Sequence, residues 1–299
     1  VGYHGNTGAC IDVSSYKFDG KGGQGAPEST HIVPLPDTFR GIHRNLATAG
    51  TDYAQYVNQA IAKVQQAGRN IAGFIGESIL SCGGQIVLPE GYLKAVYQAV
   101  RQAGGYCIAD EVQVGFGRVG TAFWGFELQG VIPDIVTMGK PIGNGHPLAA
   151  VVTTREVAEK FANGMEFFNT FGGNPVSCAI GREVLRVVQE ETLQANALQI
   201  GTYLKKGLKN LQQKYPIIGD VRGTGFFLGF ELIRDKENLT PAAHQASYLA
   251  NRMRQRGILM STDGPDHNVI KIKPPMCFDQ ANADFLLENL DLVFAEDAM

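Results

Sequence analysis

A lysine and an aspartate stand thirty residues apart, and each follows a strand-like run. Lys140 lies on a glycine-rich turn after residues 134–138, and Asp110 closes residues 105–110. If both runs belong to one parallel sheet, the two side chains reach the same edge of that sheet. A lysine amine forms a Schiff base with an aldehyde, and an acid keeps a pyridine nitrogen protonated. The pair therefore predicts a site for pyridoxal phosphate.

The surroundings of Lys140 predict a buried amine. Within residues 135–152 the only other ionisable side chain is that of His146. Burial lowers the pKa of a lysine and leaves the neutral amine that attacks an aldehyde. We therefore expect Lys140 to be buried, and the alternative is a solvated surface lysine.

Five residues could bind a ligand, and each also has a structural alternative. Asp110 and the following Glu111 could cap a helix or bind a metal ion, but no histidine stands at ligand spacing. Arg222, between strand residues and glycines, could bind a carboxylate or phosphate, or form a structural ion pair. The aromatic Tyr3 could stack on a ring, and the Thr170 hydroxyl could contact a phosphate.

Two nucleotide-binding patterns are present only in part. Residues 115–120 match G-x-G-x-x-G, but Asp134 precedes its strand, whereas the ribose-binding acid of that motif ends one. The turn at Lys140 lacks the first glycine of a phosphate-binding loop and has Pro141 where that loop needs Ser or Thr. A nucleotide-dependent oxidoreductase is therefore kept only as a distant alternative.

Composition limits the possible partners. The 299 residues are 44% hydrophobic and 18% charged with a net charge of −3, which gives no electrostatic reason to expect nucleic acid or an anionic membrane as partner. The five cysteines are scattered without a C-x-x-C pair, so we expect reduced thiols and a cytoplasmic protein. Because the chain opens on Val1 in mid-motif, we infer a missing natural N-terminus, and a mitochondrial location stays open.

The order of helix-like and strand-like segments predicts an α/β fold with two domains. Up to residue 191 helical patterns alternate with apolar runs, which is typical of a parallel, doubly wound sheet. Beyond residue 192 a long helix leads into short strands and two further helices, which predicts a small C-terminal α+β domain. The predicted domains are therefore residues 1–191 and residues 192–299. The predicted helices are residues 53–67, 89–103, 176–191, 193–214, 242–256 and 279–295, and the predicted strands are residues 71–77, 105–110, 134–138, 148–153, 221–233, 258–261 and 269–273.

Several of these motifs together resemble the class III aminotransferases of the fold-type-I pyridoxal phosphate enzymes. The resemblance covers essentially the whole chain. The motifs that carry it are residues 3–5, 109–118, 138–140, 170–175 and 221–225. Within that family, residues 77–86, 141–147 and 270–277 resemble the ethanolamine-phosphate and phosphohydroxylysine phospho-lyases, which are related to alanine–glyoxylate aminotransferase 2. Many transaminases of the family carry a Glu-Pro pair where this chain has Glu77 and Ser78.

The resemblance implies roles for residues around the cofactor ring. Lys140 would form the Schiff base and then transfer the proton, and Asp110 would pair with the pyridine nitrogen. Val112 would pack under the ring, Gln113 would bind the ring hydroxyl, and Tyr3 would stack on the other face.

The resemblance also implies a substrate, a partner and a competing possibility. Arg222 would meet the anionic group of a small, possibly phosphorylated amine, with Glu77 as the acid near it. Thr170 would hold the cofactor phosphate of a neighbouring subunit, so a homodimer is expected. The family's upstream phosphate-binding loop is absent from this sequence, so a catalytically silent fragment or dimerisation module is the alternative to a transaminase or phospho-lyase.

Overall fold

The structure is a computed structural model that describes residues 1–299. Its helices are α1 (Gly8–Asp12), α2 (Ser15–Phe18), α3 (Ala49–Gln66), α4 (Tyr92–Gln102), α5 (Arg155–Phe161), α6 (Pro175–Glu190), α7 (Leu193–Lys214), α8 (Ala243–Gln255) and α9 (Gln280–Phe294). Its strands are β1 (Gly73–Glu77), β2 (Ile79–Leu80), β3 (Ile86–Val87), β4 (Tyr106–Asp110), β5 (Ile135–Met138), β6 (Ala150–Thr153), β7 (Ile218–Thr224), β8 (Phe227–Leu232), β9 (Ser261–Asp263) and β10 (Val269–Ile272). Two 3₁₀ helices, Gly125–Gln129 and Lys140–Gly143, flank β5.

The first sheet has the strand order β1-β4-β5-β6 and is mostly parallel. β1 pairs with β4, and β4 with β5, in parallel, as expected for strands joined through helical segments. The edge strand β6 runs antiparallel to β5, which departs from the parallel arrangement expected from the alternating pattern. Residues 139–149 connect them with only a short 3₁₀ turn, whereas a parallel crossover needs about a dozen residues and usually a helix.

Helix α4 shows how the sequence builds the layer that covers this sheet. Its apolar residues Leu93, Val96, Tyr97 and Val100 recur at helical spacing, and all four are buried. They pack with residues of α3 and of β4 in a core of 13 buried residues, all of which come from positions 49–131 of the sequence.

The C-terminal part of the chain has its own sheet and its own core. The strand order is β7-β8-β10-β9, and every pairing is antiparallel. All six residues of β8 are buried. The core of this part contains 22 buried residues between positions 197 and 294, contributed by this sheet and by α7, α8 and α9. These separate cores support the division at residue 192, which remains a proposal. No helix of the chain has both the length and the apolar composition needed to cross a bilayer.

Candidate active site

Three strand ends form one row at the carboxyl edge of the first sheet. Glu77 at the end of β1 is in register with Asp110 at the end of β4, and Asp110 is in register with Thr137 of β5. Neighbouring strands lie about 4.8 Å apart, so this strand-end row brings both acids together. Lys140 begins the turn directly after β5. The sheet therefore brings the acid and the lysine to the same edge, as the sequence predicts.

Asp110 is buried and held in place by two contacts. Its Oδ2 lies 2.7 Å from Nδ1 of His4, and its Oδ1 accepts a hydrogen bond of 3.0 Å from the Val112 N–H. A carboxylate has about four lone-pair positions, so both oxygens keep acceptor capacity for a protonated ring nitrogen. Sequence analysis assigned no role to His4. Its position in the motif of residues 3–5, next to Tyr3, was the available indication.

Lys140 is exposed, so the prediction that it is buried was wrong. The 3₁₀ turn Lys140–Gly143 carries it past the end of β5, where its side chain is exposed. Its φ angle is 35°, in the left-handed region that costs a residue with a side chain about 1 kcal/mol or more. The apolar residues before Lys140 belong to the sheet, and they do not bury the amine of Lys140 itself.

Lys140 opens onto a cleft of about 510 Å³, called here the Lys140 cleft. Val112 and Gln113 line it, as the resemblance implies for residues around the cofactor ring. Arg118, His146 and Lys273 line it as well, so with Lys140 four permanent or potential cations face this space and no carboxylate does. Such a lining produces a positive potential that favours an anionic ligand.

A chain of hydrogen bonds joins the Lys140 cleft to the strand-end row. Lys273 Nζ donates to Gln113 Oε1 at 2.8 Å, and Gln113 Nε2 donates to Ser81 Oγ. The backbone N–H of Ser81 donates to Glu77 Oε2 at 3.1 Å. A residue of the C-terminal sheet is thereby connected to the acid at the end of β1.

Glu77 is an acid of the strand-end row whose pKa is strongly raised. Burial raises its pKa to about 7, the neighbouring charge of Asp110 adds to this, and the hydrogen bond from Ser81 opposes it. Its Oε1 is buried without a hydrogen-bond partner. This orphaned oxygen leaves an acceptor, or a donor when the acid is protonated, available at the site.

Lys273 and Arg118 are residues that sequence analysis missed. Burial lowers the pKa of Lys273 to about 7, while the charge of Asp263 acts in the opposite direction. Its Nζ lies 4.0 Å from the centroid of the Phe227 ring. Lys273 lies in residues 270–277, a segment whose resemblance to the phospho-lyases was the only indication in the sequence.

Arg222 does not line the Lys140 cleft. Its Nη2 donates to Glu231 Oε2 at 2.7 Å, and its Nη1 to Asp220 Oδ2 at 3.1 Å. Its Nε donates to the carbonyl of Gly84 at 2.8 Å. The guanidinium therefore forms the structural ion pairs that were the alternative for this residue, and substrate binding by Arg222 stays an untested prediction.

Tyr3 and Thr170 also lie outside the lining of the Lys140 cleft. The Tyr3 ring packs edge-on against Tyr16 with 5.7 Å between centroids. Thr170 is exposed within an exposed segment, residues 161–173. Stacking by Tyr3 and phosphate binding by Thr170 remain predictions from the resemblance.

A second, more apolar cavity of about 370 Å³ lies between β1 and α3. His4 and Glu77 are part of its wall, but neither Lys140 nor any other lysine is. A Schiff-base site needs an amine, so the Lys140 cleft is the candidate active site.

The residues present fit pyridoxal phosphate by their chemistry. Lys140 supplies the amine and Val112 an apolar side chain in the lining of the cleft, and Asp110, two residues before Val112 and outside that lining, supplies a buried carboxylate with free lone pairs. The cationic lining suits a cofactor that carries a phosphate.

Comparison with known proteins agrees with this assignment. The family described as Aminotransferase class-III matches residues 1–294. An alanine–glyoxylate aminotransferase 2-like protein of Drosophila melanogaster is 52% identical over 292 residues, which cover 95% of this chain and 59% of the relative. Ethanolamine-phosphate phospho-lyase homolog 1 of Caenorhabditis elegans is 40% identical over 304 residues, which cover 97% of this chain and 65% of that protein.

Among solved structures, a phospholyase from Arthrobacter in complex with phosphoethanolamine is similar with a TM-score of 0.92. It is 40% identical, and the match covers 98% of this chain and 69% of that one. The chain thus spans about three fifths of the length of the two relatives above. These matches confirm the predicted resemblance, the α/β fold of fold-type-I enzymes and pyridoxal phosphate as the cofactor.

Proposed function

Because the chain belongs to the class III aminotransferase family, we propose that it acts on a small primary amine through pyridoxal phosphate bound at Lys140. The observation that carries the proposal is the placement of Lys140 and Asp110 at one sheet edge, beside a cleft lined by cations. The reaction we favour is elimination of phosphate from a phosphorylated amine. The proposal draws support from the phospho-lyases among the similar proteins.

Each residue of the site has a task in this proposal. Bound pyridoxal phosphate supplies an electron sink for negative charge that develops on the carbon beside the substrate nitrogen. Asp110, oriented by His4, binds the protonated ring nitrogen. Lys140 Nζ takes the proton from that carbon, and Val112 covers one face of the ring against water.

The overall elimination balances without an oxidant or a reductant. The substrate loses a proton from the carbon bearing nitrogen and a phosphate from the next carbon. Addition of one water then gives an aldehyde, ammonia and inorganic phosphate. Transamination uses the same lysine and aspartate, so dependence on a keto-acid acceptor is the measurement that separates the two reactions.

A homodimer and a compartment complete the proposal. Six apolar side chains within residues 161–176 are largely exposed, and Thr170 lies among them in the sequence. They are Phe161, Met165, Phe167, Phe168, Phe171 and Val176. An exposed apolar patch of this kind is typical of a protein interface. The cytoplasm, with mitochondria as the alternative, remains a prediction from the sequence.

The decisive experiment is borohydride fixation of pyridoxal phosphate followed by peptide mass analysis. We expect the wild-type chain to carry one cofactor on the peptide that contains Lys140, and the Lys140→Ala variant to carry none. Lys63→Ala, which removes an exposed lysine of α3, is the control and should behave like the wild type. Fixation that survives Lys140→Ala would refute the assignment, and no fixation in the wild type would favour the silent module.

A further inference from the structure

We propose that Lys273 selects the substrate by binding a phosphate group on the carbon next to the amine-bearing carbon. The inference rests on the proposed function and names the residue that would make a phosphorylated amine the preferred substrate. It starts from the position of Lys273 just past the end of β10, where the C-terminal sheet meets the Lys140 cleft.

The donors around Lys273 suit a phosphate. A lysine ammonium has three N–H donors, and Lys273 donates to one oxygen, Gln113 Oε1. Arg118, in the same lining, donates to the carbonyls of Phe226 and Pro274 through Nη1 alone. Both side chains therefore keep donors for an anion that enters the Lys140 cleft.

Charge supports the same assignment. No carboxylate lines the Lys140 cleft, and neither Lys273 nor Arg118 forms an ion pair there, although the charges of Asp263 and Glu77 act on Lys273 from outside the lining. Lys273 is half-buried, and burial lowers its pKa to about 7. A phosphate anion beside it stabilises the charged form of the amine, so binding and protonation of Lys273 reinforce one another.

Geometry favours the phosphate of the substrate over that of the cofactor. Lys273 donates to Gln113, the residue that by the family resemblance would bind the ring hydroxyl. On pyridoxal phosphate the hydroxyl and the phosphate-bearing arm flank the aldehyde carbon on opposite sides. If Gln113 binds the ring hydroxyl, Lys273 would lie on the side of the ring away from the cofactor phosphate, within reach of substituents of an incoming amine.

The test is a binding titration of the cofactor-loaded chain, read from its visible absorbance, with O-phosphoethanolamine and with ethanolamine. We expect Lys273→Gln to raise the Kd for O-phosphoethanolamine tenfold or more, and to change the Kd values for ethanolamine and for pyridoxal phosphate less than twofold. Lys273→Arg, which keeps a cation, should restore most of the loss. Lys271→Gln is the matched control, since Lys271 is directed to Asp263 and does not line the cleft.

Several results would overturn the proposal. An unchanged Kd for O-phosphoethanolamine would remove Lys273 from substrate recognition. An equal loss of affinity for pyridoxal phosphate would place Lys273 on the cofactor instead, and an equal loss for ethanolamine would show a general defect of the site.

A separate arm distinguishes failure of this proposal from failure of the proposed function. Calorimetric titration of the cofactor-free chain with inorganic phosphate should show binding that Lys273→Gln weakens tenfold. If the wild type binds no pyridoxal phosphate, the proposed function fails while this arm still reports on Lys273. Phosphate binding that is absent, or that is the same in both proteins, counts against an anion site at Lys273.

Discussion

Glu77 gives the strand-end row a titratable charge near neutral pH. It is only 4% exposed, and burial raises its pKa to about 7. With Asp110 beside it in register, the row changes its negative charge over a range in which the Lys140 cleft must also bind an anion. The Ser81–Gln113 hydrogen bonds connect this acid to Lys273, so proton equilibria on both sides of the site are linked.

We predict that Glu77→Gln removes a pH dependence of stability. The unfolded carboxyl titrates near 4.5 and the folded one near 7, so the folded chain binds the proton more tightly. The wild-type free energy of unfolding should therefore fall as the pH rises through this window. Urea unfolding should show Glu77→Gln gaining about 2–3 kcal/mol relative to wild type between pH 5 and pH 8, at about 1.4 kcal/mol per pKa unit.

The control for this prediction is Glu90→Gln, at an exposed acid for which stability should change equally at both pH values. Parallel pH profiles for Glu77→Gln and the wild type would contradict a raised pKa at Glu77.

At the scale of elements, the two consecutive acids after β4 serve different purposes. Asp110 contacts His4 at the strand-end row, whereas Glu111 is fully buried and accepts hydrogen bonds from the backbone of the 3₁₀ helix Gly125–Gln129. The distances are 2.7 Å to the N–H of Gly125 and 3.0 Å to the N–H of Phe126. Glu111 thus holds the 3₁₀ helix before β5 in place by hydrogen bonds, and Lys140 follows directly after β5.

We predict that Glu111→Ala destabilises the chain by about 2–4 kcal/mol, because the buried N–H of Gly125, the half-buried N–H of Phe126 and the buried hydroxyl of Ser78 lose their acceptor. The measurement is the free energy of unfolding in urea. Glu127→Ala is a matched control, since Glu127 also accepts two backbone hydrogen bonds but is exposed, so water replaces them at a cost of about 1 kcal/mol. Equal losses in the two variants would show that burial of Glu111 is unimportant.

At the scale of the whole molecule, the two parts of the chain meet through a small apolar cluster, in which Phe227 packs with residues of the first part, and through polar contacts that complete the site. Lys273 donates to Gln113, Arg118 donates to the carbonyl of Pro274, and Arg222 donates to the carbonyl of Gly84. Each contact crosses from one core's part of the chain to the other. The Lys140 cleft therefore depends on how these parts are packed against one another.

We predict that the double substitution Phe167→Ser and Phe168→Ser converts a dimer into a monomer. Both side chains are 76% exposed in the proposed interface, so serine removes apolar area that only a partner would bury. Sedimentation analysis measures the change in mass. Leu259→Ser is the control, because Leu259 is 85% exposed but lies in the C-terminal part, away from residues 161–176. A wild-type chain that sediments as a monomer would argue against the interface.

The sequence alone determined helices such as α4 and the two residues, Lys140 and Asp110, on which the proposed chemistry depends. Helical spacing of Leu93 and Val100 in α4, and the positions of Asp110 and Lys140 after apolar strands, depend on residues close in the chain. Local periodicity and glycine-rich turns encode such features directly.

Only the tertiary structure decided which side chains meet. His4 and Asp110 are 106 residues apart, and Gln113 and Lys273 are 160 apart, so no local pattern relates them. The exposure of Lys140 and the ion pairs of Arg222 likewise depend on what packs around each side chain. Burial and pairing of charges are set by distant parts of the chain, and for that reason the fold had to be known before Lys273 could be connected to the site.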